Sequence, residues 1–582
     1  MNDRIRVGSR DELAAKGQLT GKIGAQPVCV FWCDGQAYAV DDRCPHMGFP
    51  LHRGTVENGL LTCHWHHARF DLESGGTLDP FADDVRSYPV ELDGDDVVVV
   101  VEPDRDRVAH LQRRLEEGLE QGLTLVMAKA VLGLFDALGP ADAATTVVRA
   151  GVDFGTRFRD AGWGSGLTVL TAMNNVLDAI DPDDRALALV HGLTFVSRDT
   201  RGHAPRFPLE PLSAALPADR LGGWYRRFID TRSGDAAERT LASAVRSHLS
   251  TEELAAIMGA AATDHVFLDG GHTVDFTNKA FEVLDHLGWE HADRVLPTLA
   301  HQTASASRAE ESGAWRHPYD LAGLLARAEA VSVGRSEAAG PRTFSGDDDI
   351  DALAWVILGD DPAEIVSAID RAFATGATEE EVARAVAYAG ALRVTRFHTQ
   401  NDHGDWDAVH HAFTSANAVH QLLLRSVALP LRRGIYHGAL KVFLDRFLNV
   451  PAASLPGRRA AMRGDVDLND LQACWDQQGM VDEAGSIVHG WLAAGGRRES
   501  VLAALGSGLL REDAEFHWFQ MYEAAARQSS AWPEGSEQVA LILTGAARFL
   551  AAHTPTRREL PQVVRIATRL RRGEPLYDVA TD

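Results

Sequence analysis

The chain has 582 residues, 45% of them hydrophobic and 24% charged, with a formal net charge of −25. At about 100–200 residues per domain this length allows several domains. An acidic surface of that size repels nucleic-acid phosphates and anionic lipid headgroups, so neither nucleic acid nor a membrane is expected as a partner.

Residues Met1–Arg6 are polar and carry no apolar leader-like run, and nowhere does an apolar stretch of about 18 residues occur. The five cysteines, Cys29, Cys33, Cys44, Cys63 and Cys474, are odd in number and unevenly spaced, which is no disulfide framework. A cytoplasmic protein is expected.

In chain order, residues 1–103 read as short strands. Val28–Trp32 and Gln36–Val40 flank Asp34-Gly35, a hairpin signal. Gly59–Thr62 leads into Cys63, and Val97–Val101 is a last β-branched strand. After Glu102-Pro103-Asp104 the composition changes. Val108–Leu138 has helical periodicity, and from there on the chain is Ala- and Leu-rich, broken by Gly, Pro and Asp. Arg201–Pro217 reads as a loop, and 333–349 as a second loop that could subdivide the helical part. The expected fold is therefore multidomain, a small all-β domain at 1–103 followed by a large all-α, His-rich domain at 104–582. Leu254–Leu284 and Val382–Val419 share an outline of helix, His-bearing loop and helix, which a duplicated hairpin would explain.

Cys44-Pro45-His46 and, sixteen residues on, Cys63-His64-Trp65-His66 make the pattern Cys-x-His…Cys-x-x-His. Two thiolates and two imidazoles suit a Cys₂His₂ zinc site, whose paired ligands are usually two or more residues apart. The one-residue spacing of Cys44 and His46 better suits a [2Fe–2S] cluster with thiolates on one iron and imidazoles on the other, each loop supplying one ligand to each iron. With Gly48, Pro50 and Trp65 beside these residues and hairpins around them, the segment resembles the Rieske family. The resemblance implies a [2Fe–2S] cluster on Cys44, His46, Cys63 and His66. Respiratory members carry an additional cysteine in each loop, joined as a disulfide. Phe49 and Trp65 stand at those positions here, so the resemblance is to the ferredoxin and oxygenase type, toward the low end of the Rieske potential range. Cys29 and Cys33 are expected as buried free thiols, and His64 and His67 as solvated neighbours of His66.

Rieske oxygenases pair the cluster with a mononuclear non-haem iron on two histidines and a carboxylate, in an Asp-x-x-His-x₄-His motif. The nearest match has Thr395 in place of the acid, before His398 and His403, in helical surroundings. The standard catalytic domain of that family is therefore not expected. Phe397–His420 nevertheless holds five histidines in 24 residues. On a helix starting near Asp402, His403, Asp407, His410 and Thr414 share a face. The leading candidate metal ligands are His272, His403 and His410, with Asp402 or Asp407 as a supporting carboxylate. Further candidates are His191, His265, His398, His411, His437 and His517. No Glu-x-x-His occurs; Asp269 before His272 and Asp407 before His410 keep a dinuclear site open, but histidines outnumber carboxylates and a mononuclear iron is expected. In architecture alone, the helical part resembles the all-helical, His-ligated non-haem iron oxygenases of the questin-oxidase kind.

Gly162–Gly166 does not fit the dinucleotide fingerprint, and no P-loop, flavin signature or Gly-x-Ser-x-Gly elbow occurs. Electrons are expected from a separate reductase or ferredoxin. The function expected is that of an oxidoreductase in which a Rieske cluster feeds a His-ligated non-haem iron for O₂-dependent oxidation of a small organic substrate, in a chain that could form a homo-oligomer. The alternative is a non-enzymatic electron carrier or redox sensor with a helical docking domain.

Overall fold

The computed structural model describes residues 3–24, 26–101, 107–158, 162–334, 342–344, 346–455, 466–574 and 576. Part of the loop expected at 333–349 lies outside them. The strands are β1 (Asp3–Ser9), β2 (Gln18–Ile23), β3 (Gln26–Cys33), β4 (Gln36–Asp41), β5 (Thr55–Glu57), β6 (Leu60–Thr62), β7 (Arg69–Asp71), β8 (Ser87–Tyr88), β9 (Val90–Asp93) and β10 (Asp96–Val101). They form three antiparallel sheets, ordered β1-β10-β9, β2-β3-β4-β8 and β5-β6-β7.

The β3–β4 hairpin turns at Asp34 and Gly35, both at positive φ, as a two-residue turn between twisted strands requires. The valines of β10 are central in their sheet and buried on both faces, which is why they read as a continuous run rather than an alternation. Cys29 is a buried free thiol, as expected; Cys33, at the hairpin end, is only half-buried.

After α1 (Arg10–Lys16) and the strands come helices, among them α2 (Arg107–Gln121), α3 (Thr124–Leu138), α4 (Pro140–Phe158), α5 (Ser165–Asn175), α6 (Arg185–Thr200), α7 (His272–Leu287), α8 (Glu379–Thr395), α9 (His403–Arg425), α10 (Arg432–Leu444), α11 (Val481–Ala493), α12 (Phe516–Ser530), α13 (Glu537–His553) and α14 (Glu559–Arg571). The loop Arg201–Pro217 carries neither helix nor strand. No helix among the described residues is long and apolar enough to cross a membrane.

The chain packs as two compact units, residues 1–150 with 560–582, and residues 151–559. The last strand, β10, ends at Val101 and α2 begins at Arg107, but packing divides the chain elsewhere. In the first unit, Arg114 of α2 pairs with Asp83 and donates to the Ala82 carbonyl, and Arg571 of α14 bonds Asp136 of α3. The first contacts tie α2 to the strand region, and the last ties α14 to α3.

The second unit is a helical assembly around one large apolar core. Its close helix pairs are allowed by small residues. The Gly162–Gly166 segment is one case. A Cβ on Gly166 would lie 2.4 Å from the Val196 amide nitrogen, so that glycine lets α5 meet α6 at the backbone. Helix starts follow local chemistry. Asp402 accepts from the Asp405 amide as N-cap of α9, and Thr378 forms a capping box with Glu381 at α8.

Candidate metal centres

The first centre sits on two loops. In the loop after β4, the Cys44 amide donates to Phe49 O and the Gly48 amide to Cys44 O, both at 2.7 Å, with Gly48 at positive φ. In the loop between β6 and β7 the Cys63 amide donates to Ala68 O at 2.9 Å. These closures bring two pairs together. The Cys44 and Cys63 thiols are buried and hydrogen-bond each other, which holds Cys63 down to about 6 and Cys44 up. Backbone N–H groups point at both sulfurs, from His46 and Met47 to Cys44 and from Trp65 and His66 to Cys63. The His46 and His66 rings meet edge to face at 4.8 Å. His46 Nδ1 is buried with no hydrogen-bond partner. A pair of adjoining thiols, a pair of adjoining imidazoles and an orphaned ring nitrogen on one of them fit a [2Fe–2S] cluster. Phe49 and Trp65 face each other across the loops at 6.1 Å.

The helices of the first unit cover the first loop. Lys129 of α3, itself half-buried, donates to the carbonyls of Pro45 and His46. Leu570 of α14 packs at Gly48, and Arg43 donates to the Glu574 carbonyl at 2.9 Å. His64, Trp65, His66 and His67 of the second loop stay exposed.

The second group lies among α7, α9 and α12. His272, His411 and His517 offer ring nitrogens all within 4.8 Å of one another, and a carboxylate oxygen of Asp407 lies equally close to ring nitrogens of His410 and His517. His410 lies 4.2 Å from His411 and 4.3 Å from His517, centroid to centroid. Burial keeps the imidazoles neutral: His272 is pulled down to about 4, and His410 and His411 well below their ordinary value.

Hydrogen bonds then choose the tautomer. His410 Nδ1 donates to the Asp407 carbonyl one turn back, which leaves the lone pair on Nε2; that atom is buried and has no hydrogen-bond partner. The Ala408 carbonyl does the same for His411. His411 Nε2 then faces His272 Nε2 at 3.2 Å. Two nitrogens each about 2.1 Å from one ion stand about 3 Å apart. Burial pushes the Asp407 carboxyl up, but His517 at 3.5 Å and His553 at 3.4 Å outweigh it and hold it below the usual carboxylate range. Phe276 and Phe516 stack on His272, and Phe549 on His410.

Of the leading candidates, His272 and His410 belong to this group. His403 does not; it is exposed on the first turn of α9 and lies 5.5 Å from His553. Asp407 joins the group, whereas Asp402 is spent as the N-cap. His411 and His517 are brought in, and His191, His265, His398 and His437 are not. His191 is a core residue bonded to the Leu510 carbonyl, His265 pairs with Glu310 and Asp230, the His398 ring accepts from the Gln400 amide, and His437 is buried in α10. His553 was unforeseen: it is one histidine at the end of an apolar helix, and only the tertiary fold carries it to Asp407, 146 residues away.

The fold and first centre fit an iron–sulfur protein, with two thiols and two imidazoles on paired loops. The family model described as the Rieske [2Fe-2S] domain matches residues 3–89. The chain is 31% identical over 98 residues to the ferredoxin component of biphenyl 2,3-dioxygenase from Rhodococcus jostii, covering 17% of this chain and 92% of that protein. It is 28% identical over 89 residues to the ferredoxin component of the naphthalene 1,2-dioxygenase/salicylate 5-hydroxylase systems of a Ralstonia species, covering 15% of this chain and 86% of that one. Among solved structures it is similar to the ferredoxin of carbazole 1,9a-dioxygenase from Nocardioides aromaticivorans, with 26% identity, a TM-score of 0.16 and coverage of 16% of this chain and 95% of that one. The chain belongs, through this N-terminal segment, to the Rieske [2Fe–2S] family. The helical remainder lies outside these matches.

Proposed function

We propose that the protein is an oxidoreductase whose Rieske segment passes electrons to a non-haem iron held by the imidazole group of the second unit, for O₂-dependent oxidation of a small organic substrate. The observation that carries this reading is His410 Nε2: a neutral imidazole oriented by its own helix, with a buried, unpartnered lone pair, on a ring packed against those of His411 and His517. Such an atom costs free energy unless something accepts it. A donor set of three of these imidazoles, His411 among them, suits Fe(II) with open positions for O₂.

The chain's own residues have defined tasks. Backbone carbonyls orient His410 and His411, Asp407 and His553 steady His517, and Phe276 and Phe516 give the half-buried side an apolar rim suited to an organic substrate. Free cysteines throughout the chain support a reducing, cytoplasmic compartment. The absence of any nucleotide signature leaves the electrons to a separate reductase or ferredoxin.

His411→Ala tests the assignment. It should remove metal from the helical unit while the Rieske absorption and EPR spectra remain. Unchanged metal content would contradict it. The names of the N-terminal relatives, ferredoxin components, favour a second reading, a carrier with a docking domain; that reading requires no metal outside the cluster.

A further inference from the structure

Reduction of O₂ by a one-electron carrier consumes one proton per electron. For insertion of one oxygen atom the balance is R–H + O₂ + 2e⁻ + 2H⁺ → R–OH + H₂O. One oxygen enters the C–O bond and the other leaves as water, with two electrons taken from the substrate C–H and two from the external donor. Both protons must reach a site that is largely screened from water.

Behind the imidazole group α7 and α12 face each other with matched polar residues. His272 stacks on His517, their planes 2° apart. Three residues further along both helices, Gln520 Nε2 donates to Asp275 Oδ2. Next, Lys279 Nζ lies 3.1 Å from Glu523 and 2.8 Å from Glu282, with Asp275 at 4.0 Å. Arg527 then reaches Glu523 and Glu282. At the outer end Asn175 joins Glu282 at 2.7 Å to His286 at 2.8 Å, and His286 is exposed beside Asp285 and Arg425. Asp275 and its partner thus stand one turn, about 4.5 Å of helix rise, from two of the imidazoles.

Lys279, Asp275, Glu282 and Glu523 are all buried. A buried ion cluster is a poor stabiliser, since apolar residues of similar size often do as well or better. Its charges also do not cancel: three acids face two cations, so neutrality requires one acid to hold a proton. Glu523 has Lys279 at 3.1 Å and Arg527 at 3.3 Å, and Glu282 has Lys279 at 2.8 Å, while Asp275 has only the 4.0 Å approach of Lys279. Asp275 is therefore the acid that holds it, and burial pushes its carboxyl up to about 7.

Resting on the metal reading above, we propose that this ladder is the proton path of the site, with Asp275 the relay residue that holds the proton next to the imidazole group and Glu282 and Lys279 recharging it from the surface at His286.

The test uses the holoprotein, reduced anaerobically with dithionite and mixed with air-saturated buffer in H₂O or D₂O, following reoxidation by cluster absorbance. His411→Ala sets the background of direct cluster oxidation. Asp275→Asn should keep the full metal content, slow reoxidation at least tenfold toward that background, and gain a solvent isotope effect; Asp275→Glu should restore the rate. Should Asp275→Asn not fold, Glu282→Gln, two turns further out, should show the same slowing. Wild-type rate and isotope effect in a metal-replete Asp275→Asn or Glu282→Gln protein overturn the relay and leave the metal site standing. Equal rates in wild type and His411→Ala overturn both.

Discussion

His410 and His411 are consecutive on one helix, about 100° apart around its axis, yet both face the same group. They do so because each bonds the carbonyl three residues back, His410 that of Asp407 and His411 that of Ala408, which swings the rings toward each other. A single-face pattern starting at His403 counts only one of the two. Residue-scale charge also acts at the first centre. The Lys129 ammonium against the Pro45 and His46 carbonyls favours the more negative, reduced state of the cluster. Lys129→Met should lower the midpoint potential by about 59 mV, a tenfold change for one electron, in an EPR-monitored titration, while Lys129→Arg largely retains it; an unchanged potential in the Met variant refutes this role.

His191 and His420, away from both centres, are each pulled down to about 4, mainly by burial. Between about pH 6.5 and 4 the unfolded chain binds protons there that the folded chain refuses. Stability therefore falls as pH drops through that window, by up to about 1.4 kcal/mol per pH unit and per group. Urea midpoints at pH 7 and pH 5 check this, and His191→Gln should flatten the slope.

At the scale of elements, α8 and α9 form the frame of the second site. A Cβ on Gly390 of α8 would stand 2.9 Å from the Phe413 Cα, two residues beyond His411. The obstacle is backbone, so it cannot rotate away. Gly390→Ala should cost about 1–3 kcal/mol by overpacking, despite the better helix propensity of alanine, and should weaken metal retention by displacing His410 and His411; a denaturation midpoint at or above wild type would show that the helices can part freely.

The same scale shows what was legible. The β3–β4 hairpin could be read from Asp34-Gly35, and the start of α9 from Asp402, because both depend on neighbours in sequence. The two hairpins that look alike, Leu254–Leu284 and Val382–Val419, share an outline, but His272 starts its helix inside the group while His403 starts its helix outside it. Only packing decides that.

For the whole molecule, the Rieske segment was readable because cluster chemistry fixes the spacing of its Cys-x-His…Cys-x-x-His pattern, and nothing distant has to be known. The second group draws on residues from 272 to 553, whose convergence no local pattern records; hence His411 and His517 ranked low and His553 went unseen. The return of α14 to the first unit has the same character, resting on Arg571 with Asp136 and Leu570 against Gly48.

The central claim is that this chain binds metal beyond its cluster. Iron and acid-labile sulfide per chain in anaerobically purified protein test it most directly. The account predicts a ratio above one, three irons to two sulfides for a mononuclear site, falling to equal amounts in His411→Ala. Equal iron and sulfide in the wild-type protein, with no other metal bound, would contradict it.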